Sequence, residues 1–119
     1  RDLVAQTAHE GGFTEKVIYS LQLAADEAAS NIIEHAYEGV SDATLDISCA
    51  MQGDTIVIIM YDTGKSFEIS KVKQPNIKAD LSDRQIGGLG IYLMRKLMDK
   101  VSYESNSTGN MLTMTKRRG

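Results

Sequence analysis

Apolar residues recur at helical spacing over residues 2–10 and again from Glu15 to about Tyr37, the periodicity of helices that bury one face. Gly11-Gly12 ends the first helix; Thr14 stands as N-cap of the second, and Gly39 follows as its stop. The second helix is apolar around most of its circumference, from Val17, Ile18 and Leu21 through Ala24, Ala25, Ala28 and Ala29 to Ile32, Ile33 and Ala36. A helix of this kind is buried rather than laid on a surface, so each polar residue inside it requires a reason.

The period then changes. Over residues 44–51 Leu45, Ile47, Cys49 and Met51 alternate with Thr44, Asp46 and Ser48, the pattern of a half-buried strand. Gln52-Gly53-Asp54 is a turn, and Thr55 to Tyr61 is apolar on both faces, which predicts a hairpin whose second strand is central in its sheet. Residues 89–98 return to helical spacing, with Ile91, Leu93, Met94, Leu97 and Met98 towards the core. Residues 100–105 and 110–116 make a further strand pair across Ser107-Thr108-Gly109. Between Asp62 and Gly90 periodicity fails; this stretch carries the only proline, Pro75, and ends in Gly87-Gly88-Leu89-Gly90. Loops beyond about 12–15 residues are commonly lids or binding loops, and the terminal glycines suit a hinged lid at about residues 65–90.

Composition narrows the function classes. The 119 residues, 42% hydrophobic and 24% charged, suit one globular domain over residues 1–119. A net charge of −3 argues against direct nucleic-acid binding, which needs a clustered basic face. The one basic run, Lys116-Arg117-Arg118, reads as a solvated tail rather than a phosphate patch. The single cysteine, Cys49, allows no intramolecular disulfide and reads as a small core residue, so a cytoplasmic setting is expected. The longest apolar stretch, Ile56 to Tyr61, falls short of the ~20 residues of a membrane span. Arg1-Asp2-Leu3-Val4 already reads as helix rather than as a leader, which leaves room for an upstream segment.

Three constellations carry candidate chemistry. Glu27 and Asn31, four residues apart on the buried helix, point within about 40° of each other, one turn along the axis. The amide oxygen can ligate Mg²⁺, and the carboxylate can take a proton from a hydroxyl or water; a helix pair satisfied by solvent or backbone is the plainer reading. Asp62-Thr63-Gly64 follows the central strand, where an aspartate can accept from an exocyclic amino group and Gly64 admits a flat ring. A strand-ending turn accounts for the same residues. Gly87-Gly88-Leu89-Gly90 runs into a helix, where bare N–H groups and the positive dipole end suit an anion. No Gly-Lys-Ser/Thr follows, and the glycines open from a loop, so neither a P-loop nor a dinucleotide fingerprint is present; a flexible hinge remains the alternative.

Taken in order, E-x-x-x-N on a helix, D-x-G after a central strand and a long loop ending in G-x-G resemble the GHKL (Bergerat-fold) ATPase superfamily. The wording is nearest its anti-sigma-factor serine/threonine kinases. Leu23 to Tyr37 looks like their first box, Tyr61 to Phe67 the second and Gly87 to Met94, continuing through Asp99, the third. The resemblance implies an α+β, two-layer sandwich with helices on one face of a mixed, mostly antiparallel sheet, its first strand missing or incomplete. It implies ATP and Mg²⁺ as cofactors, with Glu27 as the catalytic general base and Asn31 as the metal ligand. Asp62 would read the adenine amino group and Gly64 line the ring. Gly88, Leu89 and Gly90 would pack against the phosphates. Some relatives carry threonine after the last-hairpin glycine; here Gly109 precedes Asn110, kept as a nucleotide contact. Lys65 and Arg84 flank the lid and read as solvated, and His35 as a packing residue rather than a ligand.

Sensor histidine kinases generally have asparagine where this chain has Glu27, so the glutamate points to a hydroxyl or water nucleophile. Gyrase-type relatives share the glutamate but use longer chains. The resemblance therefore implies a protein serine/threonine kinase that phosphorylates an anti-anti-sigma-type protein and restrains a sigma factor, a regulator of transcription. A homodimer stays open. The alternative is a non-catalytic ATP-binding module that sequesters a protein partner.

Overall fold

A computed structural model describes residues 2–36, 44–64 and 88–119, the side chains of residues 2, 35–36 and 88–91 excepted. Helix α1 spans Asp2–Glu10 and α2 spans Glu15–Asn31, with a π-helical turn over Ile32–Ala36. Strands β1 (Leu45–Gln52) and β2 (Thr55–Asp62) precede helix α3 (Gly88–Leu97), and β3 (Lys100–Asn106) and β4 (Gly109–Arg117) follow it.

The helix ends follow from local chemistry. After α1, Phe13 N–H donates to the Ala8 carbonyl and Gly12 N–H to that of His9, both at 3.1 Å, while Gly12 takes φ 84°. This is a Schellman cap: a left-handed glycine satisfies the last carbonyls, and the buried Phe13 returns over Ala8. Thr14 caps α2 as expected, its hydroxyl accepting from Val17 N–H at 3.3 Å. The helix continues to Ala36 but widens to π spacing directly after Asn31. In the first hairpin Gly53, at φ 62°, supplies the positive φ needed at the first position of a two-residue turn.

The sheet runs β1-β2-β4-β3 and is antiparallel at every pairing. The expected parallel component is therefore absent among the described residues, since each neighbouring pair is a hairpin or the return of β4 along β2. β2 is central, as its two apolar faces require. Register aligns the strands in rungs: Cys49, Ile58, Met114 and Val101 form one, and Ile47, Met60, Leu112 and Tyr103 the next. On this face Ile56, Ile58, Met60, Leu112 and Met114 are buried with Leu21, Ala24, Ala28 and Ile32 of the long helix and Met94 of α3 in one hydrophobic cluster. Each buried Leu, Ile or Met side chain contributes about 1.5–3 kcal/mol by leaving water, each alanine less. α2 packs between α1 and α3, α1 lies on β1 and β2, and α3 reaches β3, giving a two-layer sandwich.

The C-terminal basic run is not a free tail. Lys116 and Arg117 lie in β4, Lys116 pairing with Asp99 at 3.5 Å and Arg117 with Asp54 at 3.4 Å. Arg118 donates to the Gly11 carbonyl at 2.9 Å. Opposite charges brought in from distant turns, invisible in a local run, account for the difference. Among the described residues no helix is long and apolar enough to cross a membrane.

Candidate functional site

On the helix-facing side of the sheet the two middle rungs are apolar, and at one end Leu45, Asp62, Asn110 and Ser105 stand side by side. Asp62 is 2% exposed and Asn110 also 2%, so a carboxylate and an amide are buried side by side at this end of the sheet. Buried polar groups demand partners, and most find them here. Asp62 Oδ1 accepts from Gly64 N–H at 2.9 Å and from Asn110 Nδ2 at 2.8 Å. Asn110 Nδ2 also donates to the Gly64 carbonyl at 2.8 Å, and Asn110 Oδ1 accepts from the Ser105 hydroxyl at 2.7 Å. The D-x-G turn is thus closed by its own aspartate and bound to β4. Asp62 Oδ2, buried, has no partner among the described residues.

The second buried orphan is on α2. Asn31, 3% exposed, donates Nδ2 to the carbonyl of Glu27 at 2.8 Å, which turns its oxygen away from the helix backbone. Asn31 Oδ1 then lacks a partner among the described residues. Of the plainer reading of E-x-x-x-N, a pair satisfied by solvent or backbone, the structure shows a backbone partner for the nitrogen and none among the described residues for the oxygen. Glu27 is half-buried one turn earlier. The π turn begins at the next residue, Ile32, and such widenings often sit at functional sites.

Gly88, Leu89 and Gly90 form the first turn of α3, not a loop ahead of it. The first four N–H groups of a helix have no intrahelical acceptor, and this end belongs to the helix packed against α2. Of the lid expected at about residues 65–90, residues 65–87, with Lys65, Arg84 and Gly87, lie outside the described residues, while 88–90 belong to α3; the side chain of His35 is likewise not described. No group of three metal-ligating side chains occurs among the described residues. Beside the polar rung a hollow of about 220 Å³ opens between Thr63-Gly64 and the Ser105–Asn110 hairpin.

The hairpin itself is tightly held. Asn106 Oδ1 accepts from Thr108 N–H at 2.8 Å, Thr108 Oγ1 at 2.6 Å and Gly109 N–H at 3.1 Å. From the opposite face of β2 the Tyr61 hydroxyl donates to the Thr108 carbonyl at 2.6 Å. A Cβ at Gly109 would meet Tyr61 Cζ at 2.6 Å and the Asp62 carbonyl at 2.8 Å, so only glycine fits. Ser105 and Tyr61 were not among the expected site residues; the alternation of β3 is the one sequence signal that puts Ser105 on the site face.

This geometry can be set against known proteins. A family model described as "Histidine kinase-like ATPase domain" matches residues 1–116. The serine-protein kinase RsbW of Halalkalibacterium halodurans is 33% identical over 117 residues, which are 95% of this chain and 70% of that protein. Serine-protein kinase RsbW of Bacillus velezensis is 35% identical over 109 residues, 88% of this chain and 68% of that one. Among solved structures, a blue-light activated histidine kinase of Erythrobacter litoralis superposes with TM-score 0.65 at 13% identity, covering 98% of this chain. This chain spans only 40% of the length of that structure. The catalytic domain of histidine kinase ThkA gives TM-score 0.61 at 14% identity, over 85% of this chain and 68% of that one. Those identities speak to the fold alone, whereas the family model spans nearly the whole chain and the curated relatives exceed 30% identity. The chain belongs to the histidine kinase-like ATPase domain family, within the GHKL superfamily.

Proposed function

We propose that this chain is an ATP- and Mg²⁺-dependent protein serine/threonine kinase whose substrate is an anti-anti-sigma-type protein, and that it also restrains a sigma factor. The single observation that carries the nucleotide reading is the pair of buried oxygens with no partner among the described residues, Asn31 Oδ1 and Asp62 Oδ2. Both lie on the faces of α2 and β2 that build the common core. An orphaned buried polar group costs about 1–3 kcal/mol, a penalty that a ligand can relieve.

The residues fit the ligand class. Asn31 offers a hard oxygen, the donor Mg²⁺ prefers, and one protein ligand suffices because this ion takes its other oxygens from phosphates and water. When bound, Mg²⁺ neutralises phosphate charge. Asp62 Oδ2 is an acceptor suited to the amino group of adenine. The first-turn N–H groups at Gly88, Leu89 and Gly90 would hold the phosphates, with the positive end of α3 behind them. Glu27, on the same helix face as Asn31, takes the proton of the attacking hydroxyl. Phosphoryl transfer asks chiefly for positioning and charge neutralisation, so this short roster is sufficient.

The test separates binding from transfer. Calorimetric titration with ATP and Mg²⁺ should show saturable binding in both the unmodified protein and Glu27→Gln. Mass spectrometry of co-purifying proteins should find phosphoserine or phosphothreonine with the unmodified protein only, the variant losing at least 100-fold in rate. Binding without transfer in the unmodified protein would instead support a non-catalytic ATP-binding module that sequesters its partner.

A further inference from the structure

We propose that Asn110, backed by Ser105, is a positioning residue that aims the Asp62 carboxylate at the base, so that base selection depends on a relay across three strands. This rests on the nucleotide site proposed above. The argument begins with valence. An amide nitrogen has two hydrogens, and both of those on Asn110 are used, on Asp62 Oδ1 and on the Gly64 carbonyl. The amide oxygen takes the Ser105 hydroxyl. Only one orientation of the amide satisfies all three neighbours, since a flipped group would set its oxygen against a carboxylate and a carbonyl. Asn110 therefore has no N–H left for a base, and its role is internal.

The consequence falls on Asp62. Two donors, Gly64 N–H and Asn110 Nδ2, saturate the Oδ1 side and fix the plane of the carboxylate. Oδ2 remains as the buried acceptor. A base carrying an amino group at its 6-position donates to that oxygen; a 6-oxo base brings a carbonyl against it and leaves two acceptors facing each other. Register makes the arrangement inevitable once the strands pair, because Asp62, Asn110 and Ser105 are directly opposed partners on β2, β4 and β3. Without the Asn110 donors the carboxylate turns about χ2, and the preference weakens even though Asp62 is intact.

The experiment compares ATP with ITP, which differ in the 6-amino and 6-oxo groups, for the unmodified protein, Asn110→Leu, Asn110→Thr and Ser105→Ala. Urea unfolding of each variant shows that it is folded, and Ser105, exposed on edge strand β3, gives a variant that folds on any reading. The unmodified protein should prefer ATP by at least tenfold. Asn110→Leu should lose most of that ratio, Ser105→Ala about threefold of it, and Asn110→Thr, which keeps one donor, should fall between, with ITP affinity little changed throughout. Equal loss of ATP and ITP in the variants, at an unchanged ratio, overturns the relay while leaving the nucleotide site standing. An unmodified protein that does not distinguish ATP from ITP overturns the relay and the role of Asp62 together. Failure to bind either nucleotide overturns the proposed function itself, and the relay with it.

Discussion

At the scale of single residues, the site is recognisable because it violates the rule that buried polar groups are satisfied. Asn31 is the clearest case: its nitrogen is tied to the helix backbone and its oxygen is buried without a partner among the described residues. Replacing such a group by an apolar one of similar shape removes the desolvation cost along with the function. Asn31→Leu is therefore expected to leave the free energy of unfolding unchanged or raise it by up to about 1 kcal/mol, while Mg²⁺-dependent ATP binding falls at least tenfold; urea unfolding and calorimetry would check the two halves. Gly109 makes the opposite case, in which fold and site fail together. Its missing Cβ leaves room for Tyr61 and the Asp62 carbonyl, so Gly109→Ala should cost about 1–3 kcal/mol in urea unfolding through overpacking and weaken ATP binding as well.

At the scale of elements, caps and turns were legible in the sequence because their causes are local. Thr14, Gly53 and the Gly11-Gly12 stop act within a few residues of the structure they make. Thr14→Ala should lower stability by about 0.5–1 kcal/mol, the low end for an N-cap, because the bond to Val17 is long at 3.3 Å; thermal melting would measure it. The π turn was not legible, since Ile32, Ile33 and Ala36 continue the apolar pattern of α2 without a break. Nor were the ties of the basic run. Asp99 accepts from Arg117 N–H at 2.7 Å, and that bond, helped by the neighbouring Lys116 and Arg117 charges, holds its carboxyl below the usual range against the opposing effect of burial. A lowered folded value means a stabilisation present above the unfolded pKa of about 3.9 and lost as pH falls through the folded one. Asp99→Asn should therefore be somewhat less stable at neutral pH and show a shallower loss between about pH 4 and 2, as read from melting temperature against pH.

At the scale of the whole molecule, what the sequence displayed was the order of three boxes, and what it withheld was their meeting. Asp62 and Asn110 are 48 positions apart, and nothing local announces that β4 returns along β2 in the register that makes them partners. Resemblance suggested Asn110 as a nucleotide contact; the pairing shows instead that its amide is spent inside the protein. Tyr61 adds a mechanical consequence. It and Asp62 are neighbours in the chain on opposite faces of β2, and the Tyr61 hydroxyl is bonded to the tip of the β3–β4 hairpin. The tip and the carboxylate are thus two ends of one short lever with the sheet as its fulcrum. A force on the outer surface of that tip is felt on the inner side by the group that would choose the base. Tyr61→Phe severs the linkage, so amide hydrogen exchange at Gly109 and Asn110 should accelerate while the core of β2 keeps its protection.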